Sequence, residues 1–239
     1  MNKPGKLKVL FVDLETAPNL AYVWEKYEQD VIAFVKERYL MAFAWKYQGD
    51  KKVSALSLKT MKEKALVSKL RDLFDEADVI VAHNGDQFDI KMSYAFFIKH
   101  NLKPPSPFKT IDTKKLAKYK FRFNSNKLDD LGNYLGLGRK IRTGGFDLWL
   151  DCIAGNKRAW DKMMAYNKQD IVLLEKVYDK LKVWTTTNIP VIYLGEVCQS
   201  CGGNHFIKRG WHYASHSRRA RLVCQSCGKW TSGKIEKYE

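Results

Sequence analysis

Leu7-Lys8-Val9-Leu10-Phe11-Val12-Asp13-Leu14-Glu15-Thr16 is the stretch on which the reading of this 239-residue chain turns. Its apolar part is short and rich in β-branched and aromatic side chains, the pattern of a strand buried in the middle of a sheet. It then ends in acidic residues. Because successive strand side chains point to opposite faces, Asp13 and Glu15 share one face while Leu14 turns into the core on the other. Two anions so placed repel one another unless something compensates them. Acidic residues also follow strands where a solvated loop begins, so the pair by itself assigns nothing.

Working outward, residues 40–47 and 53–58 read as two strands of a hairpin around Gln48-Gly49-Asp50-Lys51, and with the first strand they suggest a meander. A helical pattern follows from Met61 to Glu76, with Leu66, Leu70, Leu73 and Phe74 at helical spacing. Val79-Ile80-Val81-Ala82 is a second buried strand, His83-Asn84-Gly85-Asp86 is turn chemistry, and the stretch to His100 is again helical until the prolines at 104, 105 and 107. Ile111-Asp112-Thr113 closes a short strand and Leu128 to Leu135 is a short helix. Glycine-rich loops between Gly136 and Gly145 precede a helical tail from Arg158 to Trp184. Strands first, then alternating helix and strand, is the order of a mixed α/β layered fold. After Thr185-Thr186-Thr187 the composition shifts to cysteine, glycine, arginine and aromatics. The expected boundary lies between 187 and 195, separating a domain at 1–187 from a module at 195–235.

Lysine and arginine outnumber aspartate and glutamate by 42 to 26, a formal charge of +16. That surplus favours a polyanionic partner, nucleic acid before a membrane surface. No apolar run is long enough to span a bilayer, and Val9 to Val12 is too short for a signal-peptide core, so the chain is expected in the cytoplasm. In that reducing setting two Cys-x-x-Cys pairs read as metal ligands rather than disulfides, and Cys152 is left as a structural residue.

Two further acidic features lie along the chain. Asn84-Gly85-Asp86-Gln87-Phe88-Asp89 places Asp89 in the first turn of a helix, where a carboxylate also serves simply as a dipole partner. Tyr166-Asn167-Lys168-Gln169-Asp170 puts a phenol and a carboxylate four residues apart on one helix face. Taken in order, the acidic pair, the Asn-x-x-x-Phe-Asp and the Tyr-x-x-x-Asp resemble the three signature motifs of the DEDD exonuclease superfamily, in its tyrosine branch. That branch includes proofreading exonuclease domains of DNA polymerases and the ribonuclease D group. The resemblance runs from about Leu7 to Lys182, with echoes at Thr110-Ile111-Asp112-Thr113 and Asn126-Lys127-Leu128-Asp129-Asp130-Leu131. Asp86 is a departure, a competing carboxylate; Asp89 is preferred because it follows Phe88, as the family pattern requires.

The resemblance implies a ribonuclease-H-like mixed sheet flanked by helices and a 3′-to-5′ exonuclease using two Mg²⁺ or Mn²⁺ ions. Hard oxygen ligands suit those ions, and four carboxylates tolerate one another with cations between them. By carry-over, Asp13 would bridge both ions, Glu15 and Asp170 would complete the one that generates the nucleophile, and Asp89 would support the other through water. Tyr166 would orient the attacking water, and Thr16 and Asn84 would contact the terminal nucleotide.

Cys198-Gln199-Ser200-Cys201 and Cys224-Gln225-Ser226-Cys227 have 22 residues between them, close to the spacing of a four-cysteine structural Zn²⁺ site. The segment resembles a zinc ribbon, with His205, His212 and His216 left as surface or nucleic-acid contacts. Lys208, Arg209, Arg218, Arg219, Arg221 and Lys229 stand among Phe206, Trp211, Tyr213 and Trp230, a mixture suited to single strands and equally to a solvated face over a small aromatic core. The expected activity is removal of nucleotides from single-stranded DNA 3′ ends, with replication or repair proteins as possible partners. The alternatives are an RNA 3′-end exonuclease and a catalytically silent adaptor, against which the intact acidic set speaks.

Overall fold

The structure, a computed structural model, describes residues 7–27, 30–184, 197–198, 200–214 and 216–237. The apolar run forms β1 (Val9–Thr16), which continues past Asp13 because β4 (Leu40–Tyr47) pairs with it antiparallel as far as Thr16. β5 (Ser54–Ser57) extends the meander on the far edge of β4. On the other side β6 (Val79–Ala82) runs parallel to β1, and β7 (Lys109–Asp112) parallel to β6. The result is a mixed five-stranded sheet in the order β5-β4-β1-β6-β7, with β1 at its centre.

Alternation along β1 builds the two layers. Leu10, Val12 and Leu14 pack with Leu66, Leu70 and Phe74 of α1 (Glu63–Glu76) and with Phe97 of α2 (Asp89–Lys99). Val9 and Phe11 face Ile171, Leu174 and Tyr178 of α6 (Lys157–Lys182). Phe11 and Tyr178 meet edge-on at 5.6 Å, a pair that adds orientation to the ~2 to 3 kcal/mol of burying an aromatic ring. A third cluster joins Met41 and Ala42 of β4 to Leu148 and Cys152 of α5 (Asp147–Ile153) and to Trp160 and Met163 of α6; Cys152 is buried there.

Three features were not anticipated from the sequence. A two-stranded hairpin, β2 (Leu20–Tyr22) with β3 (Ala33–Lys36), lies between β1 and β4 in the chain and outside the main sheet. Helix α3 (Thr113–Lys120) starts where the Asp112 carboxylate accepts from the amides of Lys114 and Lys115, and α5 is a helix of two turns. The remaining short helix, α4 (Leu128–Tyr134), falls where expected. Beyond α6, β8 (Phe206–Ala214), β9 (Ser217–Cys224) and β10 (Trp230–Lys237) form a separate three-stranded antiparallel sheet. The expected boundary between 187 and 195 lies outside the described residues. Among the described residues no helix is long and apolar enough to cross a membrane.

Candidate active site

β1 and β4 supply the floor of the site. In their register Asp13 lies opposite Ala44 and Glu15 opposite Ala42, so both carboxylates have a methyl group as cross-strand neighbour and space above them. The register shifts between Glu15 and Thr16, an irregularity of the kind that re-aims a side chain at a strand end.

The wall is α6. Asp170 is 1 % exposed, and its carboxylate oxygens, with those of Asp13 and Glu15, form a group lying within 4.8 Å of one another. Tyr166, one turn earlier, stands edge-on to Trp149 of α5 at 6.3 Å. Between them Asn167, wholly buried, donates from its amide to the Asp13 carboxylate at 2.6 Å and to the Asp13 carbonyl at 3.2 Å. That pair of bonds pins helix to strand.

Asp89 arrives from the other direction. β6 pairs with β1 only as far as Phe11, which leaves the Leu14 amide without a strand partner on that edge; it donates to Asp89 Oδ1 at 3.1 Å. Asp89 is 3 % exposed and stands outside the close group of three, yet near enough for its charge to act on Asp13 and Glu15. Asp86 turns away and pairs with Lys115 at 2.7 Å.

Burial is the first cause of the electrostatics here and mutual repulsion the second. Desolvation, then Glu15, Asp170 and Asp89, hold Asp13 well above the ordinary carboxylate range. Glu15 is pushed up to about 8 by burial and by Asp170, and Asp89 to about 7 by burial against the Leu14 amide that lowers it. Burial also raises Asp170. The Tyr166 phenol is raised by burial, Asp170 and Glu15, so it is protonated at neutral pH.

Among the described residues a compensating cation stands at this group, and sequence reasoning missed it. Lys140, in the loop after α4, reaches Asp170 Oδ2 at 2.5 Å and donates to the Tyr166 hydroxyl oxygen at 2.9 Å. Its loop is held by Asp129, which accepts from the Lys140 amide at 2.7 Å and pairs with Arg139. Trp149 and Asn167 were also missed. Lys140 and Trp149 come from a loop and a short helix with no periodic signal, while Asn167 was visible only as a neighbour of Tyr166.

Beside the carboxylates lies a cavity of about 420 Å³ lined by Thr16, Ala17, Pro18, Arg38, Phe88, Phe146 and Trp149, room for a small molecule against a largely apolar lining. Thr16 is therefore at the cavity. Asn84, by contrast, sits in the β6–α2 turn at φ 63°, its amide donating to Asp112 and its side-chain oxygen accepting from Lys114.

The donor set fits hard divalent cations. Three carboxyl groups converge in a buried place with Asp89 nearby, and neither oxygen of Asp170 has a well-directed hydrogen bond, Lys140 meeting one of them as an ion pair. At the other end of the chain Cys198, Cys201, Cys224 and Cys227 cluster within 4.8 Å. Sγ atoms of Cys198 and Cys227 are 3.6 Å apart and those of Cys201 and Cys224 3.7 Å, far beyond a disulfide and near the edge of a tetrahedron with metal–sulfur bonds of about 2.3 Å. Each knuckle closes with the same turn, Gly202 and Gly228 donating to the carbonyls of Cys198 and Cys224 at φ 76° and 73°.

No curated protein matches the chain in sequence. Among solved structures it is similar to the family B DNA polymerase from the hyperthermophilic archaeon Pyrobaculum calidifontis, with a TM-score of 0.55 and 15% identity. That match covers 77% of this chain and 25% of the polymerase, so the chain spans about a quarter of that protein's length. A family model described as RNase_H superfamily matches residues 10–182, from β1 to the end of α6. With the mixed sheet and the acidic group it carries, the chain belongs to the RNase H superfamily.

Proposed function

We propose that the protein is a two-metal-ion 3′-to-5′ exonuclease of the DEDD type, tyrosine branch, acting on single-stranded DNA ends. The observation that carries the reading is the convergence of Asp13, Glu15 and Asp170, with Tyr166 held beside Asp170, next to a largely apolar cavity whose lining begins at Thr16. Asp13, Glu15 and Asp170 would hold one ion, and Asp13 with Asp89 the other. Bound there, Mg²⁺ or Mn²⁺ supplies an activated water and neutralises the attacking and leaving oxygens.

The chain's own groups do the positioning. Tyr166 receives a hydrogen bond from Lys140 and stands beside the Asp170 carboxylate, and a phenol with a raised pKa is a positioning group rather than a base. Asn167 fixes the Asp13 rotamer. Thr16, Phe88 and Trp149 receive the terminal nucleotide, and Asn84 steadies the turn that aims α2. DNA is favoured because the three motifs read closest to proofreading domains.

The four thiolates hold one structural Zn²⁺ in a ribbon, residues 195–235, appended to an exonuclease domain at 1–187. Digestion of 5′-end-labelled DNA and RNA with Mg²⁺ tests the activity. A ladder shortening from the 3′ end, stronger on DNA, is expected; internal cuts, or no metal-dependent cleavage, would overturn it.

A further inference from the structure

Hairpin β2–β3 presents its apolar side chains to solvent. Tyr22, Trp24, Tyr27 and Phe34 are 64%, 81%, 84% and 50% exposed. An isolated two-stranded hairpin is marginal in water, and one with aromatic rings so exposed has surface to spare for a partner. Its base is the rim of the nucleotide cavity. Pro18, which lines the cavity, lies two residues before β2, and Arg38, which also lines it, two residues after β3. The base is closed by the Arg38 amide donating to Asn19 Oδ1 at 2.7 Å, and the Arg38 guanidinium lies 6.0 Å from the centre of the Phe88 ring.

Resting on the nuclease reading above, we infer that this hairpin is a stacking platform for the single strand whose last nucleotide enters the cavity. With Pro18 and Arg38 in the cavity lining, the hairpin base borders the path of a polymer seated there, and exposed rings are the surface on which successive unpaired bases stack whatever their sequence. Charge plays little part. Residues 17–38 hold four acidic and three basic side chains in a chain of formal charge +16, so the grip here is by rings rather than by phosphate neutralisation. The platform thus selects unpaired 3′ tails several nucleotides long.

The test uses the full chain with Trp24→Ala, Tyr27→Ala and Phe34→Ala, singly and together, alongside Trp24→Phe and Tyr27→Phe, which keep rings. Two substrates are compared: a single strand of about a dozen nucleotides, within the span such platforms hold, and the p-nitrophenyl ester of thymidine 5′-monophosphate, which needs only the carboxylates and the cavity. Binding of the labelled strand is also measured with Ca²⁺ in place of Mg²⁺. Loss of the rings should weaken strand binding and raise its KM by about tenfold or more, the effect of one or more lost stacks. Hydrolysis of the ester should be unchanged, the ring-keeping variants should resemble wild type, and the slope of affinity against salt should not move. Wild-type protein inert on both substrates would sink the nuclease reading itself. Normal strand KM and affinity in the triple variant, with ester hydrolysis intact, would sink the platform alone; a changed oligomeric state alongside would identify the hairpin as a protein interface instead.

Discussion

Asp13 makes the economy of the site visible at the scale of one residue. It is held by Asn167, faces Ala44 across the strands, and stands among Glu15, Asp89 and Asp170 with a raised pKa. Asp13→Asn or Asp170→Asn should abolish cleavage at saturating Mg²⁺, because each removes a metal ligand, while Tm in Mg²⁺-free buffer should hold or rise, because each relieves repulsion. Near-normal turnover would remove that carboxylate from the metal set. Glu15 and Asp89 titrate near 8 and 7, against about 4.3 and 3.9 in an unfolded chain. Between those limits the native state keeps protons that the unfolded state has lost, so their contribution to stability declines as pH rises from about 4 to 8. Wild-type protein without divalent ion should therefore lose Tm between pH 5.5 and 8.5 more steeply than Asp170→Asn, whose missing charge lowers the Glu15 pKa; parallel profiles would refute the coupling. Tyr166→Phe should slow cleavage by about 10² through one lost positioning bond, with strand binding unchanged. Strand alternation put Asp13 and Glu15 on one face and helical spacing put Tyr166 and Asp170 on another, but it was the resemblance of the ordered motifs to a known family that singled the four out in the sequence. Lys140 was not legible there, since its place depends on Asp129 holding a loop eleven residues away.

Among the elements, those with long periodic signals were read closely. β1, β4, β6, α1 and α6 each bury a face whose spacing is written in the sequence. Helices α3 and α5 escaped because two turns give periodicity too little length, and α3 depends on the Asp112 cap. The hairpin escaped for a different reason: all four residues of β3 are exposed, so no inward face exists to alternate. The loop between α4 and α5 is the element with the clearest energetic consequence. Through Lys140 it brings a cation into a group of carboxylates that a divalent ion would otherwise neutralise. Lys140→Met should lower Tm in Mg²⁺-free buffer and tighten Mn²⁺ binding by at least about tenfold, a modest fraction of the Coulomb energy of one unit charge at 4 Å. Titration of Mn²⁺ followed by calorimetry checks this, and unchanged affinity would show that the ammonium does not compete with the ion. Turnover should fall in the same variant, since Tyr166 loses the donor on its oxygen.

For the whole molecule, chemistry and grip are expected to separate. The site carboxylates, Tyr166 and the cavity lie before residue 184, whereas the cysteine cluster lies after it, beside β8, β9 and β10, which carry a basic, aromatic surface. On that surface Lys208 lies 3.5 Å from the centre of the Trp211 ring and Arg218 4.1 Å from it, so ring and charge are presented together. Arg218 is committed to Glu236. Lys208, Arg219 and Arg221 are the better choice for a charge test. If the proposed ribbon tracks the backbone of a strand whose 3′ end is in the cavity, each of the three neutralises a phosphate, and each such contact contributes about −0.7 to the slope of log affinity against log salt on a single strand. Replacing all three by alanine in the full chain should flatten the slope by about two units, weaken binding of long strands at low salt, and leave turnover of the thymidine ester unchanged. The hairpin variants should show the opposite signature, weaker binding at an unaltered slope, because their contribution is stacking. Measuring both sets at several salt concentrations assigns the two surfaces independently. An unaltered slope in the arginine and lysine variant would mean that the three-stranded sheet does not touch the strand, and the basic surplus of the chain would then act elsewhere.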